Sequence, residues 1–173
     1  MNSYNLLAKL TILLFVLFDI SACAHKKTRP ELPQVPEIER YTIDELLIYH
    51  EGLKLKPYMD ARNKLTIGVG RNLDDLGISK DEAMLLLHND IDRIRRELDK
   101  SLPWWRKLSD NRQKVLISMA FNLGLGGLLE FNRMLSALQD GDYATAAQEM
   151  LSSLWANQVG TRAIELADMM ENG

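Results

Sequence analysis

The sequence predicts an α+β fold in which helices predominate. Three observations support this prediction: capping boxes begin helices at Thr42 and Ser79, a Gly-rich hairpin pattern lies between those helices, and several short amphipathic helices follow to residue 173. The order of these elements predicts two unequal lobes, a small one with the Leu65–Val69 hairpin and a larger helical one. We expect a cleft between the two lobes.

The first helix begins at Thr42 with the capping box Thr42-x-x-Glu45 and ends near Gly52, a residue type that often terminates helices. A second capping box at Ser79 predicts a long helix through about Lys100. Its apolar residues recur at steps of three and four and predict one continuous buried stripe, formed by Ala83, Leu87, Ile91, Ile94 and Leu98.

Pro103 ends the long helical pattern, and Trp104 and Trp105 follow it. Paired tryptophans can stack on sugar rings, but packing in the core is the commoner use and the one we expect here. Further helical patterns then predict a bundle-like lobe whose Met-rich stripes form the core. The predicted ranges are 110–124, 128–139, 143–153 and 162–170.

Composition restricts the possible functions of the chain. Its 173 residues suit one domain with extensions, and 46% apolar with 26% charged residues is typical of a soluble globular protein. The formal charge of −3 argues against nucleic acid as a partner, since sequence-independent binding needs a basic surface. One cysteine and three histidines favour neither a disulfide nor a histidine-rich metal site. We expect no metal and no cofactor.

Residues 1–23 have the pattern of an export signal, because the apolar run Leu10–Phe18 is too short to span a membrane. The run leads to Ile20-Ser21-Ala22-Cys23, which resembles the lipobox of bacterial lipoproteins. That resemblance implies that Cys23 is acylated and becomes the first residue of the mature chain. An uncleaved N-terminal anchor with a free cysteine is the alternative.

The residue after Cys23 is Ala24 rather than the aspartate associated with inner-membrane retention, so we expect delivery to the outer membrane of a two-membrane host. Residues 24–40 then form a linker in which Pro30, Pro33 and Pro36 recur every third residue. This spacing suits a polyproline II spacer, with a PxxP ligand for a recognition domain as the alternative. Residues 41–173 make up the predicted catalytic domain.

The chemistry is predicted between Tyr49 and Arg71, where Glu51, Asp60 and Thr66 follow one another. Glu51 falls in the last turn of the first helix, and the negative end of the helix dipole there disfavours an ionised carboxylate. Asp60 precedes the hairpin, where water and backbone donors favour ionisation. Two carboxyl groups, one that favours the protonated form and one that favours the ionised form, make up the acid–base pair that cleaves glycosidic bonds.

Several motifs carry a resemblance to a known family: Glu51-Gly52-Leu53, Pro57-Tyr58-x-Asp60, Leu65-Thr66-Ile67-Gly68-Val69-Gly70, residues 119–124, and residues 155–158 with Arg162. Together they resemble the phage-type lysozymes, the family of the T-even phage enzyme, from about residue 41 to the C-terminus. The resemblance implies a lysozyme-like fold in which the long helix connects the two lobes.

The resemblance also assigns roles to residues. It implies that Glu51 is the general acid, Asp60 the second carboxylate and Thr66 a hydroxyl that positions water. Asn122 and Arg162 would bind substrate, and Arg162 would point back at Glu51, with an ordinary surface arginine at a helix start as the alternative. The chain departs from the T-even enzyme at Arg71, where that enzyme has a histidine, so the structural ion pair of the histidine does not carry over.

The expected activity is that of a muramidase, which hydrolyses the β-1,4 bond between N-acetylmuramic acid and N-acetylglucosamine in peptidoglycan with inversion. The enzyme would be a monomer held at the bacterial cell envelope by its N-terminal lipid. Alternatives are a lytic transglycosylase, a non-catalytic lipoprotein that tethers membrane to peptidoglycan, and a phage endolysin with an N-terminal membrane anchor. Asp60 and Thr66 argue against the transglycosylase, which needs only the glutamate.

Overall fold

The structure is a computed structural model that describes residues 38–173. The predicted signal segment, Cys23 and most of the proline-rich linker lie outside the described residues. The chain divides into two compact units, residues 1–51 and residues 52–173, and each is described by itself.

The described part of the first unit is a 3₁₀ turn, Ile38–Arg40, followed by the helix α1, Ile43–Glu51. The predicted capping box is confirmed, because the Thr42 N–H donates to Glu45 Oε2 at 2.8 Å and the Glu45 N–H donates to Thr42 Oγ1 at 3.3 Å. This reciprocal pair satisfies N–H groups that have no partner within the helix and so determines where α1 begins.

The second unit opens with a three-stranded antiparallel sheet whose strands follow chain order: β1, Lys54–Met59, β2, Leu65–Gly68, and β3, Arg71–Asn72. The Gly-rich hairpin predicted at Leu65–Val69 corresponds to β2 and its turn into β3. The strand β1 was not predicted, and because of it Asp60 lies in the turn between β1 and β2 rather than before the hairpin. Thr66 lies in the central strand, opposite Tyr58 on one side and Asn72 on the other. Gly70 makes the sharp turn into β3 possible, since its φ of 70° is a conformation that glycine adopts without strain.

The long helix α2, Lys80–Ser101, follows the sheet and begins with the predicted capping box. The Ser79 N–H donates to Glu82 Oε2 at 2.7 Å, and the Glu82 N–H donates to Ser79 Oγ at 3.2 Å. The prediction of one continuous buried stripe is wrong in the first turns of the helix. Ile94 and Leu98 are buried. Ala83 is exposed, and Leu87 and Ile91 are only half-buried. Periodicity indicates which face is apolar, not how much of its length is covered.

Five further helices complete the second unit: α3, Asp110–Leu129, α4, Asn132–Asp140, α5, Tyr143–Leu151, α6, Leu154–Val159, and α7, Thr161–Asn172. The predicted end at Gly124 is a break within α3, where φ is 73° and ψ is 164°, and helical structure resumes after it. The predicted start of the next helix at Leu128 is wrong, since Leu128 is fully buried in the end of α3 and α4 begins at Asn132. The sequence analysis also missed α6.

The core of the second unit lies among these helices. Trp105 is 1% exposed, and its indole Nε1 donates to Asp99 at 2.8 Å, which confirms that it packs in the core. The prediction that the Met-rich stripes of the helical lobe form core is also confirmed, since four methionines there have no exposed surface: Met119, Met134, Met150 and Met170.

Within residues 38–173, no single helix is long and apolar enough to cross a membrane. The pair α3 and α4 would satisfy both criteria together, but a bend of 98° separates them.

Arg112 fastens the last turn of α7 to α3. Its Nε donates to the Met170 carbonyl and its Nη2 to the Glu171 carbonyl, both at 2.8 Å. Its guanidinium also lies 3.5 Å from the centre of the Tyr143 ring in α5. The last carbonyls of a helix have no partner within it, so this one side chain satisfies two of them and connects three helices.

We therefore expect Arg112→Ala to lower the free energy of unfolding by about 1–3 kcal/mol, because two charge-assisted hydrogen bonds and a cation–π contact are lost. Urea unfolding followed by circular dichroism measures the change. Lys114→Ala is the control, because Lys114 is exposed on the same helix and should change stability by less than about 0.5 kcal/mol. Equal effects of both substitutions would contradict the role given to Arg112.

Candidate active site

Glu51 is the last residue of α1 and is exposed. The next residue, Gly52, has a φ of 77°, so the helix ends in the left-handed conformation that the sequence predicts there. The carboxylate consequently lies at the carbonyl end of α1, where the helix dipole is negative.

Asp60 holds together the turn between β1 and β2. Its Oδ1 accepts the backbone N–H groups of Arg62, at 2.8 Å, and Lys64, at 2.9 Å. The Arg62 guanidinium approaches the other oxygen, Oδ2, at 3.6 Å. The hydrogen bond from Lys64 is the largest cause that holds the pKa of the Asp60 carboxyl below its ordinary value; Arg62 adds to it, and partial desolvation opposes both. Asp60 is therefore ionised at neutral pH, and Oδ2 remains available to accept a proton.

Thr66 is the only polar residue that is buried among those the structure describes, with 3% of its surface exposed. Its Oγ1 donates to the Lys64 carbonyl at 3.0 Å. A carbonyl oxygen can only accept, so the Thr66 hydroxyl is the donor in this hydrogen bond. The Thr66 oxygen can therefore act toward any further partner only as an acceptor.

Lys64 joins these two residues, and the sequence analysis did not identify it. Its backbone N–H donates to Asp60 Oδ1, and its carbonyl accepts the Thr66 hydroxyl. Its ammonium group forms a 2.8 Å ion pair with Asp75. The motif spacing gave no signal for this residue, because two of the three contacts use its backbone and the third reaches a residue eleven positions away.

Arg71, which stands where the T-even enzyme has a histidine, pairs with Glu82. Nη2 lies 2.9 Å from Oε1 and Nη1 lies 3.5 Å from Oε2, and Nη1 also donates to the Gly77 carbonyl at 3.3 Å. Because Glu82 belongs to the capping box of α2, this pair attaches β3 to the start of the long helix.

Asn122 and Arg162, the two predicted substrate-binding residues, line the same groove of about 490 Å³ in the second unit. Asn122 Oδ1 accepts a hydrogen bond from the indole Nε1 of Trp155 at 2.9 Å, which fixes the orientation of its amide group. Arg162 lies in the first turn of α7 and is exposed. Apolar side chains form much of the groove wall, among them Leu87, Ile91, Ile117 and Phe121.

The second unit places Asp60 in the turn before β2 and Thr66 in β2, both in contact with the backbone of Lys64, and it places Asn122 and Arg162 in one groove. Glu51 belongs to the first unit, so its distance from Asp60 and its predicted contact with Arg162 stay predictions. Residues 38–173 contain no cluster of three or more His, Cys, Asp or Glu side chains that could hold a metal ion.

Comparison with known proteins identifies a family. The family model described as phage lysozyme matches residues 49–168. The chain is 30% identical over 157 residues to the pre-baseplate central spike protein Gp5 of Enterobacteria phage T4, a match that covers 75% of this chain and 27% of the spike protein. It is also similar to probable T4-type lysozymes 1 and 2 of Dictyostelium discoideum, at 26% and 25% identity, over 76% of this chain and 95% of each relative.

The turn geometry predicts that Asp60 titrates below the ordinary aspartate value of about 3.9. A carboxyl group whose pKa is lowered by folding stabilises the folded state above its unfolded pKa, and that contribution is lost as the pH falls through the folded pKa. NMR titration of the full chain measures the midpoint, and a short unstructured peptide of residues 58–66 gives the reference. A midpoint at or above that of the peptide would contradict the assignment.

Proposed function

The chain belongs to the phage lysozyme family, a family of lysozyme-type enzymes, and on that premise we propose that it hydrolyses the β-1,4 bond between N-acetylmuramic acid and N-acetylglucosamine in peptidoglycan. The family match across residues 49–168 carries this proposal. Asp60 in the turn before β2 and Thr66 in β2 support it, since an ionised carboxylate and a hydroxyl oxygen with free lone pairs suit the binding of a reactive water.

In the proposed reaction, Glu51 is the general acid and donates its proton to the glycosidic oxygen. The bond from that oxygen to the anomeric carbon breaks, and the oxygen leaves as a hydroxyl group. A water oxygen forms the new bond to the anomeric carbon, and one proton of that water passes to Asp60. Oδ2 of Asp60 is suited to receive it, because Oδ1 already accepts two backbone N–H groups.

Thr66 would orient the water in this reaction. A water molecule that donates one hydrogen bond to Asp60 and the other to Thr66 directs a lone pair away from both residues, toward the sugar. Thr66 can serve in this way because its own proton is used by the Lys64 carbonyl. An attacking water on the face opposite the leaving group gives inversion, which needs carboxyl groups roughly 6.5–9.5 Å apart rather than ~5 Å.

The function is tested by incubating the purified protein with peptidoglycan and identifying the products by mass. We expect hydrolysed reducing ends, and we expect Glu51→Gln to reduce turnover by about 10²–10⁴-fold, because an amide cannot supply the proton. Glu39→Gln is the control, since Glu39 is an exposed carboxylate in the preceding 3₁₀ turn. Anhydro-sugar ends would instead indicate a lytic transglycosylase, and no cleavage would indicate a non-catalytic tether.

The stereochemistry is tested by NMR in the first seconds of reaction, before mutarotation mixes the anomers. Inversion of the β-linked substrate should give the α-anomer first. If the β-anomer forms first, Asp60 acts as a nucleophile and the proposed role of Thr66 is wrong.

We further propose that Cys23 carries a lipid that holds the enzyme at the bacterial envelope, on the periplasmic side of the outer membrane. The proposal rests on the sequence, with Cys23 placed where a lipobox requires its cysteine. Cys23→Ser should move the protein from the membrane fraction to the soluble fraction, as shown by fractionation and immunoblotting. Ser3→Ala, outside the motif, is the control. A Cys23→Ser protein that stays with membranes would favour an uncleaved anchor, as in some endolysins.

A further inference from the structure

We propose that Lys64, held in place by Asp75, positions Asp60 and Thr66 for hydrolysis; the proposal rests on the function proposed above. Lys64 is a positioning residue in this view, because it acts through the two groups that would bind the water.

The backbone of Lys64 contacts both groups directly. Its N–H donates to Asp60 Oδ1 at 2.9 Å, and its carbonyl accepts the Thr66 hydroxyl at 3.0 Å. The same carbonyl also accepts the backbone N–H of Asp60 at 2.9 Å. A displacement of this one peptide segment would therefore move the carboxylate and the hydroxyl together.

The side chain of Lys64 connects this segment to the loop that follows β3. Its Nζ lies 2.8 Å from Asp75 Oδ1. Asp75 is itself held by Asn72, whose Nδ2 donates to Asp75 Oδ2 at 2.9 Å and whose Oδ1 accepts the Asp75 N–H at 3.0 Å. Asp74 holds the adjacent residue, because its Oδ2 accepts the Leu65 N–H at 2.9 Å. Two neighbouring aspartates thus bind the two residues that precede Thr66.

Hydrogen bonds to Asp60 close the turn from within, and the ion pair adds a connection to a segment outside it. Asn63 has a φ of 59°, a left-handed conformation that asparagine adopts more readily than most residues other than glycine. Arg62, the remaining charged residue of the turn, approaches Asp60 only at 3.6 Å with a side chain that is 79% exposed. The ion pair of Lys64 with Asp75 is therefore the shorter charged contact of the turn, and it reaches the loop that follows β3.

The expected effect on the reaction is moderate. The side chains of Lys64 and Asp75 are 39% and 56% exposed, and ion pairs with that exposure make small contributions. Lys64→Ala also keeps the N–H and the carbonyl that contact Asp60 and Thr66. We therefore expect kcat to fall about three- to tenfold with little change in KM, since loosened geometry impairs the attack of water more than sugar binding.

The experiment compares full-chain Lys64→Ala, Lys64→Arg and Asp75→Asn with the wild type, using peptidoglycan hydrolysis and amide hydrogen exchange. Lys64→Ala and Asp75→Asn should reduce kcat to a similar extent and accelerate exchange at the amides of Arg62 and Lys64. Lys64→Arg keeps the charge and should restore most of the rate. Arg93→Ala is the matched control, because it removes exposed ion pairs of similar length, to Asp90 and Glu97, from α2.

The possible outcomes separate this proposal from the proposed function. Wild-type kcat in Lys64→Ala overturns the positioning role, whether or not amide exchange changes, and so does an equal loss of rate in Arg93→Ala. A wild-type protein that releases no reducing ends overturns the proposed function instead, and amide exchange then still shows whether Lys64 and Asp75 hold the turn. Loss of rate, faster exchange and rescue by arginine together support the proposal.

Discussion

The acceptance of two backbone N–H groups by Asp60 is the interaction on which the sheet region depends. The turn from Asp60 to Lys64 returns the chain into the central strand, so its shape sets the register of β2 between β1 and β3. In the proposed reaction, the carboxylate that closes the turn is also the group that would receive a proton from water. The turn and the proposed reaction therefore both favour an ionised Asp60, because the ionised carboxylate is the better acceptor for the backbone N–H groups and for the proton of water.

In the helical part, boundaries are set mainly by single polar side chains and glycines. The side-chain oxygens of Ser109, Asp142 and Ser153 each accept a backbone N–H at a helix start. Gly141 and Gly160, with positive φ, follow the ends of α4 and α6. Successive helices consequently change direction at positions fixed by local chemistry, and the buried Met and Leu side chains then determine how they pack.

Local chemistry also explains which features the sequence could predict. Both capping boxes follow from short-range rules and were anticipated, and so was an interruption at Gly124, although helical structure resumes after it. The burial of Trp105 was expected because tryptophan commonly packs in the core. The helix α6 has six residues, too few for periodicity to reveal, and the start of α4 was misplaced because the apolar pattern runs on across Glu130 and Phe131. Lys64 could not be found, because its contacts depend on how β3 and its following loop return to the turn. The motif residues Glu51, Asp60 and Thr66 could be selected from their spacing, but the direction of the Thr66 proton required coordinates.

That proton direction has an electronic consequence. A hydroxyl that donates to a carbonyl gains electron density on its oxygen, so successive hydrogen bonds in a chain polarise and strengthen one another. The Lys64 carbonyl would in this way make Thr66 a stronger acceptor than a freely rotating hydroxyl. A water bound to it would be polarised toward hydroxide before any proton reached Asp60. A backbone carbonyl would then contribute to the nucleophilicity of the attacking oxygen, and replacing the Lys64 side chain would leave that carbonyl in the chain.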